Sequence, residues 1–474
     1  MKKFAYGSIV AAFLFSTMWI TYSFAWDQGG SWHHKFCRNN PVPSPTVTGP
    51  IRAKDLPGHP SHDYPFSSSV VDLACPGYVE EEFFIEGTAN RYNTPTLQTG
   101  SIIDGGHHYK TRIVVRRPMY PDQFNGVVLL EWQNPATGAD LDAIWGTQWR
   151  HILRSGYAWV GVTVHQVNIH GANGLKWWNP TRYGSLDVTD SGTIMDDSLM
   201  HDIYSQAAQA IRCSKGTELL GNLRVRTIFT VGASAGALVT YYNSIHPLHN
   251  VVDGFYFVRG GYGTRTDIDS KVFHVVSERE VIARLPTGRE PDSDRLRTWE
   301  IAGGAHFGYF SFMYHQLVIG RDGLPPQGAL TGCGLPPLDR IPDYYVSSAV
   351  IDHLVRWVEQ NISPPIAPLL QVQTVGPPAV LARDSYGNAL GGIRLPQHAV
   401  PTATNSGINT GPGWCSVWGS YVPFDEGTLK ALYPSHSAYV SEFNHWVKED
   451  LKAGFIVKED AYKMMNEAAN SDIP

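Results

Sequence analysis

The sequence has 474 residues, 43% of them hydrophobic and 17% charged, which is enough apolar material to bury a large core and too much for a disordered chain. Its 37 basic and 43 acidic residues leave a formal net charge of −6 with no basic stripe, which excludes the electrostatic footprint of a nucleic-acid binder. Length permits several domains, but α/β enzymes often run long as one main domain with added segments, so one main domain is expected.

Lys2 and Lys3 precede an apolar run from Phe4 to Ile20, and Ser23-Phe24-Ala25 supplies the small residues of a cleavage site. Residues 1–25 therefore read as a signal peptide cleaved after Ala25, with an uncleaved anchor as the alternative. No later apolar run is long enough to span a bilayer, so a soluble periplasmic or secreted protein is expected. In an oxidising compartment the five cysteines should include a disulfide. Cys213 lies in a helical pattern and is expected to be free and buried, leaving Cys333–Cys415 and Cys37–Cys75 as the expected pairs.

Residues 26–70 are rich in Pro, His and polar side chains without a sustained period and read as an irregular arm. Short apolar strands follow at Glu82–Ile85, Thr111–Val115, Val127–Leu130 and Ala158–Val162, the last two expected to be buried on both faces. A helix at Ile203–Ile211 precedes a strand at Thr227–Val231, and another helix should start just after Ser234. Strands at Gly254–Val258, Val272–Val276 and Arg297–Ala302 come next, then a helix from Asp343 to Gln360. This alternation predicts an α/β fold with a mostly parallel central sheet flanked by helices, its core spanning residues 71–363. Residues 364–474 read as a Gly/Pro-rich C-terminal extension packing on that core.

Gly232-Ala233-Ser234-Ala235-Gly236 stands directly after an apolar strand and before a helix-forming run, the context of a nucleophile elbow. The serine of an elbow sits on a sharp turn whose neighbours must be small, and here they all are. The bland alternative is a small-residue strand-to-helix turn that holds a serine by chance. An elbow requires an acid and then a histidine after later strands, because a serine hydroxyl is a poor nucleophile unaided. His306, in Gly303-Gly304-Ala305-His306, is the best base among 19 histidines. After Val272–Val276 the chain reads Ser277-Glu278-Arg279-Glu280, where Glu280 is the first choice for the acid and Glu278 the second, the loser pairing with Arg279 or facing water. Expected oxyanion donors are the backbone N–H of Ala235 and one at Trp132 or Gln133, with the Asn134 side chain as a further alternative. No metal-ligand spacing is present, and Gly260-Gly261-Tyr262-Gly263 lacks the dinucleotide-binding pattern, so neither metal nor cofactor is expected. Trp132, Trp145, Trp177, Trp178, Trp414 and Trp418 are candidates for an aromatic pocket wall, although most buried aromatics are simply core.

Several segments are similar to a family of secreted alpha/beta hydrolase domain-containing proteins: Gly77–Glu82, Gly87–Asn90, Val128–Asn134, Ser155–Val162, Arg182–Leu186, Asp202–Gln206, His246–Leu248, Val252–Phe255, Asp292–Arg295 and Gly387–Pro396, together with Ser234 and His306. The resemblance covers all but the ends and implies an α/β-hydrolase fold with Ser234 as nucleophile and His306 as base. Two positions depart from it: Ala235 stands where the family often has Gln, and Glu280 where it more often has Asp.

The expectation is a secreted serine esterase acting on a small-molecule ester, with an amidase or lactonase using the same triad as the nearest alternative. A noncatalytic binding protein on the same scaffold predicts a damaged site, whereas all triad residue types are present. No large insertion separates Ser234 from His306, so the stretch Pro364–Phe424 is the expected active-site cover.

Overall fold

Nine strands form one sheet in the order β1-β2-β3-β5-β4-β6-β7-β8-β9 in the computed structural model, which describes residues 40–213, 219–328 and 330–474. The strands are β1 (Thr46–Thr48), β2 (Tyr78–Tyr92), β3 (Ile102–Pro118), β4 (Val127–Trp132), β5 (Ala158–Val162), β6 (Thr227–Ala233), β7 (Gly254–Val258), β8 (Lys271–Val276) and β9 (Leu296–Glu300). The β1–β2, β2–β3 and β3–β5 pairs are antiparallel. All pairs from β5 through β4 to β9 are parallel. The expected signal peptide, its cleavage site and Cys37 lie outside the described residues.

The central strands are buried along their whole length because helices cover both faces, which is why they read as continuous apolar runs. Successive residues of β4 point to opposite faces. Val128 and Leu130 join the layer containing helix α2 (Met200–Cys213) and α3 (Gly236–Thr240). Val127 and Leu129 join the layer containing α1 (Ala143–Ser155) and α6 (Tyr344–Gln360). Two further helices, α4 (Glu278–Arg284) and α5 (Tyr309–Asp322), follow β8 and β9. The C-terminal helices α7 (His436–Ala453) and α8 (Lys458–Ala469) pack into the α1 and α6 layer.

β2 and β3 run well beyond the apolar cores expected of them, because antiparallel pairing continues as a ribbon as far as Tyr92 opposite Ile102. The expected arm, described from Asn40, supplies edge strand β1 and buries Val42, Tyr64 and Phe66 in the core. Cys333 and Cys415 form the expected disulfide. The other cysteine assignments fail: Cys213 is disulfide-bonded, while Cys75 is an exposed free thiol. Among the described residues no helix is long and apolar enough to cross a membrane.

Candidate active site

At the end of β6 the chain turns sharply through Ser234, whose φ of 56° is a left-handed conformation rare for a residue with a side chain. The small neighbours serve this turn unequally. A Cβ at Gly232 would lie 2.6 Å from Leu238 Cδ1 of α3, so glycine there lets that leucine pack closely on the strand end, whereas a Cβ at Gly236 would meet nothing within 4 Å.

β9 leads through Gly303 and Gly304 to His306, and β8 leads through Ser277 into α4, whose first turn carries both Glu278 and Glu280. These three connections converge. Ser234 Oγ lies 2.6 Å from His306 Nε2, and His306 Nδ1 lies 2.7 Å from Glu280 Oε1. With Nδ1–H donating to the carboxylate, Nε2 is left to accept the serine proton. Glu280 is held by a capping box in which its Oε2 accepts from the Ser277 N–H at 3.1 Å and from the Ser277 hydroxyl. Burial pushes the Glu280 carboxyl up, but the hydrogen bond and charge of His306, the Ser277 hydroxyl and the Arg259 guanidinium outweigh it and hold the group down at about 2.

Glu278 points elsewhere and neither pairs with Arg279 nor faces water. Fully buried, it accepts from the Gly303 N–H at 2.8 Å through Oε1. Through Oε2 it accepts from Arg383 at 2.7 Å, the Gly407 N–H at 3.1 Å and the Ser406 hydroxyl at 3.2 Å. It thus ties the loop bearing His306 to the C-terminal extension.

Two of the expected backbone oxyanion donors, Ala235 and Gln133, are otherwise engaged. The Ala235 N–H donates to the Arg259 carbonyl at 3.0 Å, because Arg259 (φ 53°) turns its carbonyl toward the elbow after β7. The Gln133 N–H donates to the Val162 carbonyl at 3.2 Å, and Trp132 lies within β4 with its indole N–H directed to His165 at 2.9 Å. A cavity of about 250 Å³ opens over Ser234 and His306. Leu141, Ala143, Phe307, Trp414 and Val417 supply its apolar wall and Asn134 a polar point beside the serine.

The description "Alpha/beta hydrolase domain" belongs to the family model that matches residues 47–466. The chain belongs to this family. No curated protein matches this hydrolase. It is similar to a solved α/β serine hydrolase without a lid from Xanthomonas campestris, at 14% identity and a TM-score of 0.28 over 49% of this chain and 91% of that one. An alpha-beta serine hydrolase homologue from Coxiella burnetii matches at 14% identity and a TM-score of 0.26, over 45% and 89% of the two chains. A fungal esterase from Rhizomucor miehei matches at 10% identity and a TM-score of 0.27, over 54% and 91%.

Of the tryptophans expected as pocket wall, only Trp414 lines the cavity of this hydrolase. Trp132, Trp145, Trp178 and Trp418 are buried in packing and Trp177 is exposed. Phe307 escaped sequence reasoning, although its place next to His306 was a signal. Arg259 also escaped it. That side chain is buried behind the triad and pairs with Asp343. Among the described residues no group of three or more His, Cys, Asp or Glu is arranged to hold a metal ion.

Proposed function

We propose that this hydrolase cleaves carboxylic esters through an acyl-enzyme on Ser234, with His306 as general base and Glu280 as the acid that orients it. The observation that carries this reading is the unbroken relay from Ser234 Oγ to His306 to Glu280, opening at the serine end on an apolar cavity. His306 Nε2 takes the Ser234 proton as Oγ attacks the ester carbonyl carbon, and then returns that proton to the departing alcohol. Water, deprotonated by the same nitrogen, attacks the acyl carbonyl and frees Ser234. Glu280, ionised well below neutral pH, fixes the tautomer and stabilises the imidazolium. Amides or lactones would pass through the same steps.

The cavity narrows the substrate class. Apart from His306 no titratable side chain lines it, so it favours a neutral ester, and its volume of about 250 Å³ lies below the range usual for drug-sized ligands, which favours compact acyl groups. Gly413, Trp414 and Val417 come from the C-terminal extension, anchored by Cys333–Cys415, which supports that segment as the active-site cover. The disulfide also supports an oxidising compartment, in keeping with an N-terminal signal for export.

The test is hydrolysis of p-nitrophenyl esters from acetate to palmitate by the purified protein and its Ser234→Ala variant. Activity confined to short chains and lost in the variant is the expected result. Equal activity in both would end the Ser234 reading, and none in either would favour a noncatalytic scaffold.

A further inference from the structure

Attack on an ester leaves a negative charge on the former carbonyl oxygen, and an acyl hydrolase needs hydrogen-bond donors aimed at it. The loop after β4 has no backbone donor to offer from residue 133 to 136: the Gln133 N–H is bonded to Val162, Asn134 exchanges bonds with Leu141 in both directions, Pro135 has no N–H, and the Ala136 N–H goes to Asn134 Oδ1 at 2.8 Å. On the elbow the Ala235 N–H is held by Arg259.

The Asn134 side chain is differently placed. Its Oδ1 accepts from Ala136, and its Nδ2 donates to the carbonyl of Ala233, the residue directly before Ser234, at 3.0 Å. Acceptor at one end and donor at the other fix which atom is nitrogen and lock the plane of the carboxamide. A primary amide carries two N–H bonds, and one of these is uncommitted among the described residues. Asn134 lines the cavity together with Ser234 and His306. We propose, resting on the serine-hydrolase reading above, that the free Nδ2–H of Asn134 is the oxyanion donor of this enzyme, a side chain serving where the backbone is occupied. Its locked geometry means no reorganisation as charge develops, the condition under which such a donor acts most strongly.

The experiment compares Asn134→Asp, which keeps shape and the Oδ1 acceptor but removes the donor, with Asn134→Ala, which removes both without adding charge. For p-nitrophenyl butyrate, kcat should fall by roughly 100- to 1000-fold in both variants, with KM changing by less than about threefold. Binding of butylboronic acid, whose tetrahedral adduct with Ser234 places an oxygen where the oxyanion forms, should weaken in parallel with kcat. Unchanged kcat in either variant overturns the assignment. So does a fall in kcat with boronate affinity intact, since that marks a residue that shapes the elbow without touching the oxyanion. Labelling of Ser234 by a fluorophosphonate separates the two levels. Labelled, active wild type with unaffected variants sinks only the Asn134 role, whereas wild type that neither labels nor hydrolyses any ester sinks the underlying reading and this role with it.

Discussion

Among the described residues serine, histidine and an acid meet in several places, and two of these groups form an informative contrast, because one opens on a cavity and the other is buried. In the first, exposed Ser234 meets His306, which meets Glu280. In the second, Ser205 Oγ lies 2.7 Å from His249 Nδ1, whose other nitrogen meets the Tyr92 hydroxyl at 3.0 Å, and Tyr92 donates to Asp202 at 3.2 Å. Ser205 is fully buried and also bonds to the Tyr241 hydroxyl and the His201 carbonyl. Residue types and distances nearly match, so composition does not separate the two. The difference is that every polar group in the second cluster is spent on another protein group, while the first leaves one side of the serine open to a substrate. Hydrogen-bond saturation makes the second group a structural element of the α2 and α3 layer.

The sharpest way to break this contrast is Glu280→Gln. A carboxamide in that place donates to His306 as readily as it accepts, so the wrong tautomer becomes accessible, and kcat should drop on the order of 10⁴-fold with KM little changed. Because Glu280 is held down at about 2 against a usual 4.5, its ionised form contributes stability, on the order of 3 kcal/mol, that is complete above pH 4.5 and lost as pH falls toward 2. Equilibrium unfolding of wild type and variant at pH 6 and pH 3 checks this, the gap between them closing at the lower pH. An acid limb of kcat/KM lying above pH 4 must then belong to another group, and equal kcat in wild type and variant would remove Glu280 from the relay.

The buried cluster predicts a different pH signature. Burial pushes His249 down to about 4, and His201, His246 and His274 are pushed to the same value by the same cause. Each binds a proton in the unfolded chain below about pH 6.5 but stays neutral in the native one until about pH 4, so stability falls with pH across that window. At pH 5 the loss is about 2 kcal/mol per histidine, several kcal/mol in all. Urea unfolding at pH 7 and pH 5 measures it; a flat profile would mean that these rings find water or carboxylate partners in the native state.

Local pattern carried much of the site. The apolar strands, the small residues around Ser234 and the order serine, acid, histidine were legible because each depends on neighbours within a few positions. The choice between Glu278 and Glu280 was not, since both sit in the first turn of α4 and what separates them is Arg383, 105 residues downstream, and His306 on the loop after β9. The engagement of the Ala235 N–H was not legible for a similar reason: it depends on the left-handed turn at Arg259, after another strand, whose carbonyl accepts from it. Tyr64 and Phe66 are core residues in a segment without period, which no window of sequence reveals. The free Cys75 and the bonded Cys213 show the same limit for connectivity.

A smaller effect probes the open side itself. Trp414 borders the cavity beside Phe307, with ring centroids 6.2 Å apart. Trp414→Ala should lengthen the cavity and shift the ratio of hexanoate to acetate hydrolysis, as kcat/KM, about tenfold toward the longer chain. Unchanged chain-length preference would mean that the extension does not set the acyl limit.

The smallest effect falls on the second cluster. Ser205→Ala removes a hydroxyl bonded to His249 and Tyr241 and leaves both partners short of a hydrogen bond in a dry interior, at a cost of about 1–3 kcal/mol. The kcat/KM for p-nitrophenyl butyrate should stay within about twofold, because no substrate reaches a fully buried hydroxyl. The informative quantity is therefore the pairing of the two numbers. Lost stability with retained turnover marks Ser205 as architecture, whereas lost turnover in a variant that unfolds at the wild-type urea midpoint would show that the buried network governs the chemistry at Ser234, and the contrast between the two clusters would have to be drawn on grounds other than access.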